Sequence, residues 1–445
     1  MSLNKESIVL LGAGKSAAYA IKYLSNWCFK QDVDFVVADV SIIALDKVTE
    51  MTKAPYKAIL LKENQPEILE DVIQHATVVI SMLPVAFHFT VALVCIKYSK
   101  HLLTASYISP ELKTLEVEVN KKSLTFLFEC GLDPGIDHMS AFALLDRIRE
   151  KGEQVSSFIS STGGLVDPAC EGNNPWQYKF TWNPRNVVLA GKGTAMFKED
   201  GVMKEISYAT LFSSARPLAW SGKEALEFYP NRDSLTYQTL YALDDADTFI
   251  RGTIRRSGYS EAWHVLVCLG MTDDDQALPS SIQTHRDFLR YFTGNKFFSK
   301  ESLEEKIGFN ISSAVWSKIT YLSLDTDDLF TTRFNTAAQY LQSILEVKWV
   351  LEKEDKDWVL MQHCIKTVKG NKHKEYISTL SVKGENQLFT AMSKTVGLPL
   401  AMAAVLVFTG QWRKSGIYIP SDPSLYNLLL PQLEKEGITF DEEEY

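Results

Sequence analysis

The sequence predicts an α/β chain: a doubly wound parallel sheet comes first, followed by an α+β region that carries a helical insert. Three observations predict it. Apolar runs of strand length alternate with helical stretches over the first 130 residues, a glycine pattern follows the first run directly, and the texture changes after Gly131.

Residues 7–11 are a short apolar run ending in glycines, and 17–29 read as a helix. Residues 33–38 form a second strand, 76–83 a later one and 124–129 a last one, while 101–106 lead into a further helix. Strands apolar on both faces and spaced by helices belong to a parallel sheet covered on both sides. Beyond Gly131, residues 155–162 and 181–183 read as strands separated by Gly-, Pro- and Asn-rich connections. Residues from about 234 to 345 are richer in helical patterns and acidic loops. The uncharged segment 395–410 is 16 residues long and contains Gly397 and Pro399. A spanning helix needs about 20 apolar residues, so a buried helix is expected and no membrane partner. The acidic residues 441–444 are expected to be a solvated end.

Gly12, Gly14 and Ala17 form a G-x-G-x-x-A pattern between the first strand and its helix. Gly12 permits a tight turn, Gly14 leaves room for a pyrophosphate, and Ala17 lets the helix approach the sheet. The phosphates would rest on the helix start, where unpaired N–H groups and the helix dipole favour anions. Lys15 and Ser16 complete the expected cofactor-binding loop. This makes the first domain a Rossmann-type fold. Asp39 ends the second strand, 22 residues after Ala17, where a carboxylate can bond both ribose hydroxyls of NAD. It would repel a 2′-phosphate, and no arginine follows it closely, so NAD is expected over NADP. Ser81, Met82 and Leu83 close a later strand and are expected to border the cofactor, although by themselves they fit any strand-to-helix loop. A glycine turn in a domain that binds another nucleotide, or none, is the alternative for the whole motif.

Composition excludes more than it selects. Apolar and charged fractions of 46% and 23% are those of a globular protein. A formal charge of −9 argues against a nucleic-acid partner. The six cysteines are far apart and lack a C-x-x-C pair. Neither a metal site nor a disulfide framework is expected, and a reducing, cytoplasmic setting is. No basic region followed by an apolar stretch opens the chain, so no secretory signal is expected.

Several strings then carry a resemblance: 105–110 (ASYISP), 131–139 (GLDPGIDHM), 173–182 (NNPWQYKFTW), 229–234 (YPNRDS), 250–255 (IRGTIR) and 391–404 (AMSKTVGLPLAMAA). With them the chain resembles the saccharopine dehydrogenase family, glutamate-forming kind, and most of all the C-terminal half of the animal aminoadipate-semialdehyde synthase. The resemblance implies NAD- or NADP-linked cleavage of saccharopine to glutamate and aminoadipate semialdehyde, or the reverse, in lysine metabolism. It also implies a dinucleotide-binding domain over 1–131 completed by 390–445, and a substrate domain over 132–389 with the helical insert at about 234–345. The substrate is a small amino-acid-like molecule, and a homodimer is left open.

By the same resemblance Ala105, Ser106, Asp133, Arg232, Thr253, Ile254 and Arg255 contact substrate, while Leu132, Pro134 and Gly135 line the cofactor. Saccharopine carries three carboxylates, and arginine binds carboxylates bidentately. Arg251, Arg256 and Lys179 are candidate helpers, with structural ion pairs as the other reading for the first two. Asp133 is the expected proton acceptor, because cleavage needs a neutral amine and then an activated water. Asp133-Pro134-Gly135 is also plain turn chemistry, and Asp137 is a candidate cap for the helix near His138. The sequence departs from the family at three places. Ala105 stands where two serines are common, Thr162 where fungal relatives carry cysteine, and 166–169 (VDPA) where Pro-Ala-Pro-Glu is usual. His88, His138 and His264 read as structural. Two other functions stay open: a carboxynorspermidine-type reductive amination and a dinucleotide-binding regulator without turnover.

Overall fold

The computed structural model describes residues 6–62, 64–294 and 298–445; the first five residues, where a signal would begin, lie outside it. The chain divides into two compact units. One comprises residues up to Glu153 together with Leu380–Phe440, the other Gln154–Thr379 with Asp441–Tyr445.

In the first unit, β1 (Ser7–Leu11), β2 (Asp34–Asp39), β3 (Lys57–Leu60), β4 (Val78–Ser81), β5 (His101–Thr104) and β6 (Thr125–Leu127) alternate with α1 (Ala18–Gln31), α2 (Ile42–Met51), α3 (Pro66–Gln74) and α4 (His88–Tyr98). The sheet has seven parallel strands in the order Gly416–Tyr418, β6, β5, β4, β1, β2, β3. Val9, Val36, Val79, Leu102 and Phe126 put β-branched or large apolar side chains from five strands into one core cluster. Helix starts are capped where the sequence offers a hydroxyl: Ser41 Oγ accepts from Ala44 N–H at 3.2 Å at the start of α2.

The apolar segment near 395–410 is the interior of the helix Ala391–Thr409, 83% buried over its most apolar stretch. It is long and apolar enough to cross a membrane, yet it packs on α1 and on β4 and β5. Gly397 is the point of closest approach, since a Cβ there would lie 2.9 Å from the Ala20 nitrogen.

The second unit is built on a nine-stranded mixed sheet. The strand Gln154–Val166 pairs in parallel with Thr248–Arg256 and antiparallel with Asp357–Lys369. Helices between Tyr259 and Lys348 close over a cluster that includes Trp176, Trp263, Tyr340 and Trp349.

Five expectations need correction. Residues 181–183 are not a strand: the Asn183 side chain accepts from Arg185 N–H at 2.9 Å and, with Pro184, starts a short helix. The helical insert does not begin at 234, because Thr248–Arg256 is a strand and the run of helices starts at Tyr259. The acidic tail is exposed to solvent, as expected, but it is not an irregular end. Phe440–Glu444 is a strand of the second unit's sheet, with backbone bonds between Tyr445 and Glu375. Residues 441–445 therefore do not complete the dinucleotide-binding domain. At the other boundary, the helix Ile136–Glu150 belongs to the first unit, where it packs on the helix Pro423–Lys435.

Candidate active site

β1 pairs with β2 on one side and β4 on the other, so strand order reverses there. In open α/β sheets the ligand crevice lies at the carboxyl ends of strands at such a reversal. Residues 12–17 cross that point. Gly12 has φ +99°, and a Cβ on it would stand 2.9 Å from the Met82 carbonyl oxygen. Gly12 N–H donates to Ala38 O and Met82 N–H to Leu11 O, both at 2.8 Å. These bonds set Ser81, Met82 and Leu83 beside the glycine turn. Gly14 is exposed, and a Cβ on it would meet no protein atom within 4 Å. Folding does not demand glycine there, whereas close approach of a pyrophosphate does. Lys15 is exposed, Ser16 half-buried, and Ala17 is the buried N-cap residue of α1. The residues present fit a dinucleotide.

Asp39 is tied into this loop. One carboxylate oxygen accepts from Ala13 N–H at 2.7 Å and the other from Ser41 N–H at 2.8 Å. The carboxylate thus holds the glycine turn to the end of β2 and the start of α2.

Further along the same sheet edge, Ala105 and Ser106 follow β5, and the loop 131–135 follows β6. Glu129 N–H donates to Ser106 O at 3.0 Å and Cys130 N–H to Thr104 O at 3.2 Å. A Cβ on Gly131 would come 2.9 Å from the Ala105 Cβ. The loop is tight. Gly135 has φ +146°, its Cβ would collide with Gly131 O at 2.1 Å, and the Asp133–Pro134 peptide is cis. Leu132, Pro134 and Gly135 are buried, whereas Asp133 is partly open and receives the Tyr107 hydroxyl at 3.3 Å. Asp137 is not the N-cap of the next helix. Gly135 is, and Asp137 Oδ1 accepts from Gly135 N–H at 2.5 Å from inside the first turn. Tyr107 and His88 were not singled out as site residues from sequence. Tyr107 lies within the string that carries the resemblance; His88, bonded to both Ser81 and Ser106, has no local signature.

The guanidinium groups lie in the second unit. On the strand Thr248–Arg256, alternation sends Thr253 and Arg255 to one face and Ile254 and Arg256 to the other. Ile254 packs its side chain into a core cluster with Leu165 and Trp358, which leaves only its backbone for a ligand. Arg256 pairs with Glu171 at 2.7 Å. Arg251 lies over the Tyr237 ring. Lys179 pairs with Asp355 at 2.5 Å and is not a free helper.

Arg255 differs from these. It is as buried as Arg256, at 4% exposure, but its guanidinium lies 5.2–5.9 Å from the ring centres of Tyr178, Tyr229 and Tyr259, and one N–H donates to Ile254 O at 3.0 Å. No carboxylate among the described residues is within ion-pair distance, and Arg255 Nε and the Tyr229 hydroxyl are buried without a partner. Burial works against its charge, but Tyr229, Tyr178 and Tyr259 together raise its pKa above the ordinary arginine value. Arg232 is exposed, with φ +46°, just past the strand Leu226–Pro230. Arg255 pairs in register with Glu227 near one end of the ladder, whereas Arg232 follows the Pro230–Gly252 pair at the other end. Thr162 is paired in register with Thr253, and its hydroxyl is buried with no partner. Among the described residues no cluster of His, Cys, Asp and Glu could hold a metal ion.

Residues 8–127 match the profile described as saccharopine dehydrogenase NADP binding domain, and 131–438 match the saccharopine dehydrogenase C-terminal domain. The chain belongs to the saccharopine dehydrogenase family. It is 33% identical to the Saccharomyces cerevisiae protein named saccharopine dehydrogenase [NADP(+), L-glutamate-forming], over 98% of this chain and 99% of that one. The mouse α-aminoadipic semialdehyde synthase is 30% identical over 98% of this chain, which spans 48% of that longer protein. Identity to the two is comparable. The apo structure of the yeast saccharopine dehydrogenase (L-Glu forming) superposes with a TM-score of 0.87, 31% identity and coverage of 99% of this chain and 100% of that one. The fold is that of this family: a Rossmann-type dinucleotide-binding domain and a second domain on a mixed sheet. A homospermidine synthase from Legionella pneumophila, at 10% identity and a TM-score of 0.57, shares the fold alone.

Proposed function

We propose that this chain is a nicotinamide-dependent oxidoreductase that cleaves saccharopine to glutamate and aminoadipate semialdehyde, or joins them in reverse. The observation that carries this reading is full-length identity to a glutamate-forming saccharopine dehydrogenase. Arg255 supports it, as a dry guanidinium with no carboxylate of its own. Arg255 and Arg232, well separated along the strands, suit an elongated substrate with carboxylates at both ends.

The bound dinucleotide supplies the hydride acceptor. Every other requirement falls to the chain. Saccharopine must lose the proton of its secondary ammonium before hydride leaves the adjacent lysine-derived carbon. Water then adds to the resulting iminium, and the carbinolamine collapses to the amine of glutamate and the aldehyde. Asp133, partly open and bonded by Tyr107, is placed in this reading as acceptor of the amine proton, which it passes to solvent, and then of the water proton, which it returns to the nitrogen as the carbinolamine collapses. Arg232, Arg255, Thr253 and Ser106 orient the substrate. Thr162 is no acid near neutrality, so no proton step is assigned to it.

The preferred dinucleotide in this reading is NADP(H), not the NAD expected from Asp39. Relatives are named for NADP(+), and both Asp39 oxygens are engaged by backbone N–H groups. NAD is the second reading, supported by the negative charge of Asp39 and the lack of an arginine after it. Initial rates with saccharopine and either dinucleotide test both. A higher kcat/KM with NADP+ is expected, and a clear preference for NAD+ reverses the assignment. Release of NADPH without glutamate would defeat the reaction itself.

A further inference from the structure

His88 lies between two residues of the site. Its Nδ1 is 3.0 Å from Ser81 Oγ, at the end of β4, and its Nε2 is 2.8 Å from Ser106 Oγ, beyond β5. His88 is 1% exposed and Ser81 fully buried, whereas Ser106 is partly open. Burial pushes the His88 pKa down to about 4. At neutral pH the ring therefore carries one N–H, donating through one nitrogen and accepting through the other.

The partners decide which. Ser81 Oγ has no other hydrogen-bond partner among the described residues. If Nδ1–H donated to it, the Ser81 proton would be stranded in a dry core, which is costly. If Ser81 donates to Nδ1 instead, both groups are satisfied. Nε2–H must then donate to Ser106 Oγ, and the Ser106 proton is turned away from the ring. Ala105 supplies no hydroxyl, so Ser106 is the one side-chain donor of this pair.

We propose that His88 is a positioning residue: through the Ser81–His88–Ser106 chain it fixes the Ser106 hydroxyl as a hydrogen-bond donor to a substrate carboxylate. The opposite tautomer would present Ser106 as an acceptor and favour a cationic group. The proposal deepens the functional reading and rests on it in one respect, namely that Ser106 meets the substrate.

Two measurements on the full chain test it. Nitrogen-15 spectra of histidine-labelled protein at pH 7, with the His88 signals assigned by their loss in His88→Phe, should show the Nε2–H tautomer. A Nδ1–H tautomer or an imidazolium overturns the proposal whether or not saccharopine is the substrate. In steady-state assays, His88→Phe should raise KM for saccharopine roughly tenfold to a hundredfold, the range expected for losing a hydrogen bond to a charged group. KM for the dinucleotide should stay within about threefold, less than any charged hydrogen bond would move it. His88→Gln keeps an N–H near the Nε2 position and should restore most of the loss, and in Ser106→Ala the further His88→Phe change should add nothing. Equal rises in both KM values, no rescue by glutamine, or additive losses would overturn the assignment. If the wild-type enzyme fails to turn over saccharopine, the functional reading fails and the tautomer measurement still stands.

Discussion

Arg255 keeps its charge in a nearly dry box of tyrosines. Truncating one member of a buried charge pair removes about 2–5 kcal/mol, so Arg255→Leu should raise KM for saccharopine at least about thirtyfold. Dinucleotide binding, measured by fluorescence titration, should be nearly unchanged. Loss of both affinities together would mean that Arg255 only holds the fold. Asp133→Asn should instead lower kcat, by about 10²–10⁴ as for lost general-base catalysis, and single-turnover rates check whether hydride transfer itself is slowed. His88 and His101 give a pH signature. Burial lowers His88 from 6.5 to about 4, and burial with the nearby Arg413 does the same for His101. Both stay neutral in the folded chain while the unfolded chain takes up protons below about 6.5. Their stability contribution is therefore intact above that pH and is lost as pH falls towards about 4, by up to about 3 kcal/mol for His88 and less for the partly exposed His101. Denaturant midpoints between pH 7 and 4 should show the decline, and His88→Phe should flatten it. At this scale the sequence was only partly legible. Arg232 and Arg255 stand in recognisable strings, but nothing local distinguishes Arg255 from the equally buried Arg256 beside it, whose Glu171 partner lies 85 residues away in sequence. His88 read as structural because its two serine partners meet it only when the ends of β4 and β5 are brought side by side.

Strands and helices of the first unit were legible because each carries its own signal. β1 is an unbroken apolar run followed by glycine, and its five residues are all buried. The glycine turn is legible for the same reason, since φ +99° at Gly12 admits little else. Gly397 is different: its need arises from α1, which a local reading cannot see. Gly397→Leu should separate the two helices, at a cost of about 1–3 kcal/mol in overpacking. A fall in melting temperature is the expected result, with a raised KM for dinucleotide in the folded enzyme, because the same Cβ would lie 3.2 Å from the Ser16 carbonyl oxygen of the cofactor loop. An unchanged melting temperature would show that the contact yields easily. Two elements depart from their local composition, each for its own reason. Thr181 and Trp182 have strand composition, but the Asn183–Pro184 pair beyond them starts a helix, and local cap chemistry prevails. The acidic tail looks solvated because a peripheral strand can be charged and still pair through its backbone.

On the scale of the whole molecule, each unit carries its own sheet and its own share of the residues proposed for the site. The first holds the glycine turn, Asp39, Ser106 and Asp133, and the second holds Thr253, Arg232 and Arg255. The return of the chain after Leu380 to complete the first sheet came from family resemblance and not from composition, since the strand Gly416–Tyr418 is only three residues long. Dinucleotide at a hundredfold excess over its Kd should stabilise the protein by about 2.7 kcal/mol, seen as a rise in melting temperature. The most direct test of the account is to incubate purified protein with saccharopine and NADP+ or NAD+ and to follow reduced dinucleotide and glutamate together. The account predicts equal amounts of both, formed only when all components are present. Reduced dinucleotide without glutamate, or no reduction with either cofactor, would contradict it.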